Sequence, residues 1–353
     1  MQITTVGIDL AKLVFQVHAV DEAGKTMLKR QLKHAQMATF FVKLQPSLIG
    51  MEACGSAHHW ARKLKGYGHE VKLMAPQFVK PYVKSNKNDA ADAEAICEAV
   101  GRPNMRFVAV KSVEQQTVMS MHRVRAGYVK SRTAHANQIR GLLAEFGLSL
   151  PQGIHNIAKR VPELLEDASN ELTGPFRLMV LDLVEHVKLL ADKVAQLELQ
   201  IKTWHREHDE SRKLDDVRGV GPLTASAFAA NIGDVKAFKN GRQVSAWLGI
   251  VPKQHSSGGK DTLLGISKRG DRYLRTLLIH GARSVVQANE AKRGTPAEDV
   301  WISRLVDRRN KNVAAVAVAN KNVRIMWALL AHEREYRADY KRDEGRREEA
   351  LAA

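Results

Sequence analysis

The sequence predicts a mixed α/β domain at the N-terminus, followed by mainly helical regions. Three apolar segments come first, at residues 3–10, 14–19 and 27–32, and the polar residues 21–24 join the last two as a hairpin. Short apolar segments and helical segments then alternate up to residue 74, which predicts a sheet with helices packed on it. Three strands followed by β/α units is the order of the ribonuclease-H-like fold, although periodicity alone does not single out that fold.

Composition indicates a multidomain protein that binds a polyanion. A chain of 353 residues with 44% hydrophobic residues is expected to form two or three domains with real cores. The 55 Lys and Arg exceed the 38 Asp and Glu, which gives a net charge of +17. Nucleic acid is the usual partner of such a protein, although a ribosomal or membrane-surface protein has the same charge.

The lack of a recognisable secretory signal and the small number of cysteines predict an intracellular protein. The N-terminal residues lack the pattern of a secretory signal, and no segment has the ~18 consecutive apolar residues of a membrane helix. The two cysteines, Cys54 and Cys97, are expected to be small buried residues without a disulfide or zinc role. We therefore expect a cytoplasmic location, close to the bacterial nucleoid, and no membrane partner.

The middle of the chain shows a heptad pattern. Apolar residues recur at alternating steps of four and three at Phe176, Val180, Leu183, Val187, Leu190, Val194, Leu197, Ile201 and Trp204. This repeat predicts a coiled coil and hence a dimer or tetramer, while an ordinary amphipathic bundle helix is the alternative. The predicted parts of the chain are a catalytic domain at 1–112, a helical and coiled-coil connector at 113–208, a C-terminal domain at 209–330 and a charged tail at 331–353.

Four carboxylates in the first hundred residues predict a metal site. Asp9 and Glu52 each end an apolar strand, and the i, i+3 spacing of Asp89 and Asp92 places both on one face of a helix. Acids concentrated in this way are stable when cations bind, and hard oxygen ligands suit Mg²⁺ or Mn²⁺, with two ions the arrangement that phosphoryl transfer favours. Each acid alone is more often a solvated surface residue, so the prediction depends on all four together.

Glycine-rich and basic segments in the C-terminal region could contact phosphate. The loop of residues 254–260 offers two hydroxyls, free backbone amides and Lys260, so it could cradle a phosphate, present a serine nucleophile or be a plain polar hairpin. Upstream, Arg218, Gly219 and Gly221 lie in a possible helix-hairpin-helix turn, whose amides would hold DNA phosphate, although a plain helix turn explains them equally.

The ordered motifs resemble those of the DEDD-type transposases of IS110 and IS1111 insertion sequences. The matching segments are residues 7–12, 51–55 and 87–93, and the likeness extends from residue 3 to about residue 330. The resemblance implies a domain similar to the RuvC Holliday-junction resolvase, with the four acids of the family at Asp9, Glu52, Asp89 and Asp92.

For the C-terminal domain the resemblance implies a catalytic serine and partners. The family's serine matches Ser257, while the adjacent Ser256 leaves an ambiguity of one residue. A basic helix start with Lys268, Arg269 and Arg272 resembles a family segment that would face nucleic acid. Donor and target DNA, and a guide RNA encoded by the element, are the implied partners.

The sequence therefore predicts a transposase that cuts and rejoins DNA by metal-assisted transesterification through a serine–DNA intermediate. The alternative is a metal-dependent Holliday-junction resolvase or nuclease in which the acids act without a covalent intermediate. A non-catalytic nucleic-acid-binding scaffold is disfavoured, because a pure binder gains nothing from negative charge where a phosphate must approach.

Overall fold

The computed structural model describes residues 2–84 and 88–337 and forms two compact units. The N-terminal unit consists of residues 1–116 with 232–234, and the C-terminal unit consists of residues 117–231 and 235–353. Most of the predicted charged tail lies outside the described residues. The predicted boundaries at residues 112 and 208 stay predictions.

A six-stranded mixed sheet forms the centre of the N-terminal unit. The strands are β1 (Thr5–Leu10), β2 (Val14–Val20), β3 (Thr26–Lys33), β4 (Leu48–Glu52), β5 (Glu70–Met74) and β6 (Phe107–Val108). Their order across the sheet is β3-β2-β1-β4-β5-β6. Strands β1, β4 and β5 run parallel to one another, whereas β2, β3 and β6 pair antiparallel with their neighbours. This confirms the predicted mixed α/β architecture.

One face of the sheet carries the main apolar core of this unit. Helices α1 (His34–Lys43) and α2 (Ala57–Gly66) pack on the side chains that alternate strand positions direct to this face. Val6 and Ile8 of β1 are fully buried there, and the ring of Trp60 lies edge-on to Phe15 with 5.5 Å between centroids. The short helix α3 (Pro76–Val79) follows β5.

Helix α4 (Asp89–Val100) packs on the opposite face, over two glycines. Gly7 of β1 and Gly50 of β4 are paired in the parallel register, so they form a patch without side chains on neighbouring strands. A Cβ atom on Gly7 would lie 2.2 Å from the Ala93 carbonyl oxygen, and one on Gly50 would lie 2.7 Å from the Val100 Cβ. The glycines therefore allow α4 to approach the strand backbone closely.

Cys97 of α4 faces the same glycine patch. A Cβ on Gly7 would lie 2.7 Å from the Cys97 Cβ, and the thiol is 3.7 Å from the Thr5 carbonyl oxygen, to which it donates. Burial raises the pKa of this thiol to about 11. Cys97 is buried and Cys54 is half-buried, and both are free thiols.

The C-terminal unit is mainly helical, as predicted. Its helices are α5 (Val113–Ala144), which starts in the N-terminal unit, α6 (His155–Glu166), α7 (Gly174–Glu207), α8 (Asp209–Arg212), α9 (Pro222–Ile232), α10 (Gly241–Trp247), α11 (Arg272–Glu290), α12 (Val300–Arg308) and α13 (Lys311–Ala331). Strands β7 (Pro252–Gln254) and β8 (Leu263–Ile266) form a hairpin between α10 and α11. Helix α6 contains Pro162, and its buried residues Ile157 and Val161 form an apolar face that packs into the core.

The heptad residues of α7 are buried within the chain itself. Val180 and Val187 belong to a core shared with Ile139 of α5 and Ile157 of α6. Leu190 and Val194 are also buried. A coiled coil between chains is therefore not confirmed, because intrachain packing already accounts for the burial of the repeat.

Helix α13 is, within the described residues, the one helix long and apolar enough to cross a membrane. Its most apolar window has a mean hydropathy of 1.3, and 50% of that window is buried inside the protein. Since α13 packs against α10 and α11, its composition is explained by its place in the core of the C-terminal unit.

We predict that Gly7→Ala destabilises the fold by about 1–3 kcal/mol, because the new methyl group overlaps the α4 backbone and forces the helix away from β1. Thermal unfolding followed by circular dichroism measures this. The matched control is Gly66→Ala at the end of α2, where no atom lies within 4 Å of the added Cβ. Equal melting temperatures for Gly7→Ala and the wild type would contradict the close-packing argument.

Candidate active site

Three aspartates converge where β1 ends and α4 begins. Asp9 is the fifth residue of β1, and Asp89 and Asp92 lie in the first turn of α4. One carboxylate oxygen from each residue lies within 4.8 Å of the others. Asn88 caps the helix by accepting a hydrogen bond from the Ala90 amide at 3.0 Å, which fixes the turn that carries Asp89 and Asp92.

Glu52 lies beside this cluster, at the end of β4. Strands β1 and β4 are parallel neighbours with Ile8 opposite Met51, so Asp9 and Glu52 follow at the same edge of the sheet. Burial raises the pKa of Glu52, and the negative charges of Asp9 and Asp92 raise it further. The structure thus brings three of the predicted acids into one cluster and places the fourth within electrostatic reach of two of them.

The donor set fits a divalent cation. Three carboxylates with half-buried or exposed oxygens offer hard ligands of the type that Mg²⁺ and Mn²⁺ prefer. Burial is the largest cause of the raised pKa of Glu52, and repulsion by Asp9 and Asp92 adds to it. A bound cation would relieve that repulsion, and this is the physical reason to expect one.

Ser257 lies in the tight turn of the β7–β8 hairpin. The Lys260 amide donates to the Ser257 carbonyl at 3.1 Å, and Gly258 and Gly259 between them have φ of +56° and +76°. Two successive positive φ values are typical of a type I′ hairpin turn and explain the pair of glycines.

The two serines of this turn differ in their hydrogen bonds. The Ser256 hydroxyl accepts from the Gln254 side-chain amide at 2.9 Å. The Ser257 hydroxyl makes no hydrogen bond to any described residue, and Ser257 is exposed. This contrast distinguishes the two serines, which sequence alone does not.

The predicted basic residues lie on the surface of the C-terminal unit. Lys260, Lys268, Arg269 and Arg272 are all exposed, with Lys260 in the hairpin and Arg272 at the start of α11. Asp271 caps α11 by accepting from the Leu274 amide at 2.7 Å, which orients the turn that carries Arg272.

The predicted helix-hairpin-helix segment has internal partners. Arg218 forms an ion pair with Asp299 at 2.5 Å. The backbone of Gly219 packs against α11, where a Cβ on Gly281 would lie 1.8 Å from the Gly219 carbonyl oxygen. Gly221 is exposed just before α9. Close packing therefore explains Gly219 in part, and phosphate binding at this turn stays a prediction.

A buried histidine network near α11 was not predicted. The His122 ring contacts the Tyr273 hydroxyl through Nδ1 and the Ser226 hydroxyl through Nε2, each at 3.0 Å. Ser226 donates to the Pro222 carbonyl, so it accepts from Nε2, and Tyr273 donates to Nδ1. Burial lowers the pKa of His122 to about 4, which keeps the ring neutral. An isolated histidine in a helix has no sequence pattern that would reveal this network.

The N-terminal unit is thus a mixed sheet with a cluster of acids at one edge, and the C-terminal unit is mainly helical. A model for DEDD-type IS110 transposases matches residues 6–147, and a model described as the transposase IS116/IS110/IS902 family matches residues 211–295. The chain belongs to this family of insertion-sequence transposases, enzymes that cut and rejoin DNA.

Relatives match over nearly their whole length. A probable family 20 transposase of Pseudomonas aeruginosa is 52% identical, over 96% of this chain and 99% of the relative. The transposase for insertion sequence element IS1111A of Coxiella burnetii is 43% identical, over 95% of this chain and 92% of the relative. The transposase for insertion sequence element IS1328 of Yersinia enterocolitica is 40% identical, over 93% of this chain and 96% of the relative.

We predict that Glu52→Gln raises the melting temperature of the metal-free protein at neutral pH. Because the pKa of folded Glu52 lies above its unfolded value, the ionised carboxylate opposes folding above that raised pKa. As the pH falls through the raised pKa to the ordinary glutamate value, this penalty disappears and the difference between variant and wild type should shrink.

Calorimetry in EDTA at several pH values measures the effect of Glu52→Gln, and Glu22→Gln in the exposed β2–β3 turn is the control. Added Mg²⁺ should raise the melting temperature of the wild type more than that of Glu52→Gln. If Glu52→Gln is no more stable than the wild type at neutral pH, the ionised Glu52 carboxylate does not oppose folding and the argument from its raised pKa is wrong.

Proposed function

We propose that this transposase cuts and rejoins DNA by two transesterifications, with Ser257 as the nucleophile. The bond from the Ser257 Oγ to phosphorus forms while a sugar oxygen–phosphorus bond of the DNA breaks, and that sugar oxygen takes up the serine proton. A DNA hydroxyl then attacks the phosphoserine, which forms the new phosphodiester and returns a proton to Ser257. The single observation that carries the proposal is the exposed Ser257 hydroxyl, which has no hydrogen-bond partner among the described residues, in a chain that also holds a converging acidic cluster.

The acids would hold the metal in this proposal. Asp9, Asp89 and Asp92 supply the cluster, and Glu52 completes the set from the neighbouring strand. Two Mg²⁺ or Mn²⁺ ions bound there would lower the pKa of the attacking hydroxyl and neutralise charge that develops on the phosphate. The parallel strands β1 and β4 position their two acids rigidly, since both acids directly follow buried strand residues.

The basic residues would hold the DNA backbone. Lys260 lies in the same turn as Ser257, and Lys268, Arg269 and Arg272 follow within one loop and helix start. Arg218, Gly219 and Gly221 would contribute a second contact through backbone amides. The guide RNA remains a part of the proposal that rests on the resemblance to the family alone. Binding of donor and target DNA rests on that resemblance and on the net charge of +17, assembly as a dimer or tetramer rests on the heptad repeat, and action at the nucleoid rests on the expected cytoplasmic location.

A metal-dependent resolvase or nuclease is the second candidate function. In that case the acids direct water at the phosphate, and Ser257 only binds it. The acidic cluster favours both functions equally, so the covalent intermediate distinguishes them.

We predict that the wild type forms a DNA–protein adduct that survives denaturation, and that Ser257→Ala forms none, because the bond requires the Oγ atom. The assay mixes protein, Mg²⁺, labelled DNA with joined element ends and RNA transcribed from the element, followed by denaturing electrophoresis. Ser256→Ala is the matched control and should keep the adduct, since its hydroxyl is bonded to Gln254.

An adduct that persists in Ser257→Ala and disappears in Ser256→Ala would assign the nucleophile to Ser256. Cleavage without an adduct in the wild type and in both variants would instead favour the resolvase function.

We predict that Arg269→Ala and Arg272→Ala each reduce the salt dependence of DNA binding. Each phosphate contact contributes about −0.9 to the slope of log K against log salt on duplex DNA, so each variant should flatten the slope by roughly that amount. Fluorescence anisotropy over a salt series measures it. Lys25→Ala, an exposed lysine in the β2–β3 turn, is the control. Slopes equal to the wild type in both arginine variants would remove these residues from the DNA surface.

A further inference from the structure

A polar shelf adjoins the acidic cluster on the α4 face of the sheet. The register pairs Asp9 with Gln16 and Gln16 with Gln31, so these three side chains lie in one row across β1, β2 and β3. Gly7, which faces α4, is paired with His18, and His18 is paired with Lys29. The side chains of His18 and Lys29 therefore lie on the same face, in a second row beside the first. Both rows run from β1 toward β3, which is the edge strand of the sheet.

A cavity of about 140 Å³ lies over this shelf. This is roughly ten times the space that one buried water requires. Polar side chains of β2 and β3 form its floor, and the first turns of α4 form its wall. Its lining residues are Gln16, Val17, His18, Lys29, Arg30, Gln31, Ala90 and Ala93.

His18 supplies an unpartnered polar atom at this cavity. The residue is only 4% exposed, and its Nδ1 atom is buried without a hydrogen-bond partner among the described residues. Glu94 is the nearest acid, with 3.9 Å from Nδ1 to its Oε2 atom, and Glu94 is already bonded to Lys29 at 3.1 Å. Burial lowers the pKa of His18, so the ring is neutral and can donate one hydrogen bond. A buried ring nitrogen in this state is available to donate to a ligand in the cavity.

The chemistry of the lining selects an anion. Lys29 brings a positive charge, and the Gln16 and Gln31 amides and the His18 ring bring neutral donors, so a phosphate oxygen finds hydrogen-bond partners here. Glu94 is paired with both Lys29 and Lys84, and Glu98 is paired with Lys84, so lysines offset the negative charge of these two acids.

We propose that this cavity binds one phosphate of the DNA strand, next to the phosphate that is cut, and thereby fixes where the strand lies on the acids. This rests on the proposed function only in that the acids act on a DNA strand. Gln16 is the direct neighbour of Asp9, and Ala90 and Ala93 lie on the same helix turns as Asp89 and Asp92, so a strand held at the acids would reach the cavity with a neighbouring phosphate. Gln16, His18, Lys29 and Gln31 are positioning residues here.

The test is a binding measurement that needs no cleavage. The full chain, labelled at its histidine rings, is titrated in Mg²⁺ buffer with trithymidylate, with its methylphosphonate analogue and with inorganic phosphate, and the ring signals are followed by NMR. The His18→Gln variant identifies the His18 signal by its loss. We expect this signal to shift with trithymidylate and to saturate.

The Gln31→Glu variant adds one negative charge at the cavity and should weaken trithymidylate binding about fivefold, as for charges a few ångströms apart in water. Gln45→Glu makes the same change in the exposed turn before β4 and should bind like the wild type. A His18 signal that stays fixed while other signals respond would overturn the proposal.

The other two probes separate the sources of the signal. Methylphosphonate binding as tight as trithymidylate binding would exclude recognition of phosphate charge, and inorganic phosphate binding as tight would assign the cavity to free phosphate rather than to a strand. Since none of these measurements depends on Ser257, loss of the covalent adduct in the trapping assay leaves this result unaffected.

Discussion

Helix α4 lies against the backbone of two adjacent strands because the residues beneath it, Gly7 and Gly50, have no side chains. Its position sets the position of Asp89 and Asp92, since both belong to its first turn. The acids cannot hold themselves together, because like charges repel, and repulsion by Asp9 and Asp92 adds to the effect of burial on the pKa of Glu52. Apolar packing of Ala93, Ile96 and Val100 therefore holds the helix in place against the repulsion between its acids and those of the strands.

The same arrangement separates two kinds of charge in the chain. The net charge of +17 attracts nucleic acid, whereas a phosphate close to the acids is repelled unless a cation lies between. In the proposed function, binding and chemistry would therefore depend on different residues. The exposed lysines and arginines of the C-terminal unit would hold a strand without metal, while the acid edge would attract phosphate only when the carboxylates are neutralised.

Much of the N-terminal fold could be predicted from sequence, because strand composition, turn residues and strand-end acids are local signals. The structure places all four predicted acids at one edge, and the strands start or end within about three residues of the predicted positions. The glycine patch could not be predicted, since it depends on which residues the register pairs across strands. The heptad of α7 was ambiguous for a similar reason. A regular apolar repeat has the same sequence whether its partner is another chain or α5 and α6 of the same chain.

The C-terminal unit was harder to predict at the level of single residues. The hairpin of β7 and β8 is short, and its outer residues are exposed, so it lacks the alternation that marks a strand. His122 has partners from α9 and α11, more than a hundred residues away in the chain, and no local pattern encodes them.

The reactivity of the Cys97 thiol depends on the contact between α4 and the sheet. Its thiol is buried against Gly7, and burial keeps it protonated, since its pKa is raised to about 11. Thiolate is the reactive form, so oxidants and alkylating reagents reach this sulfur only when the helix lifts from the sheet. The rate at which Cys97 is modified therefore reports how often α4 separates locally from the sheet.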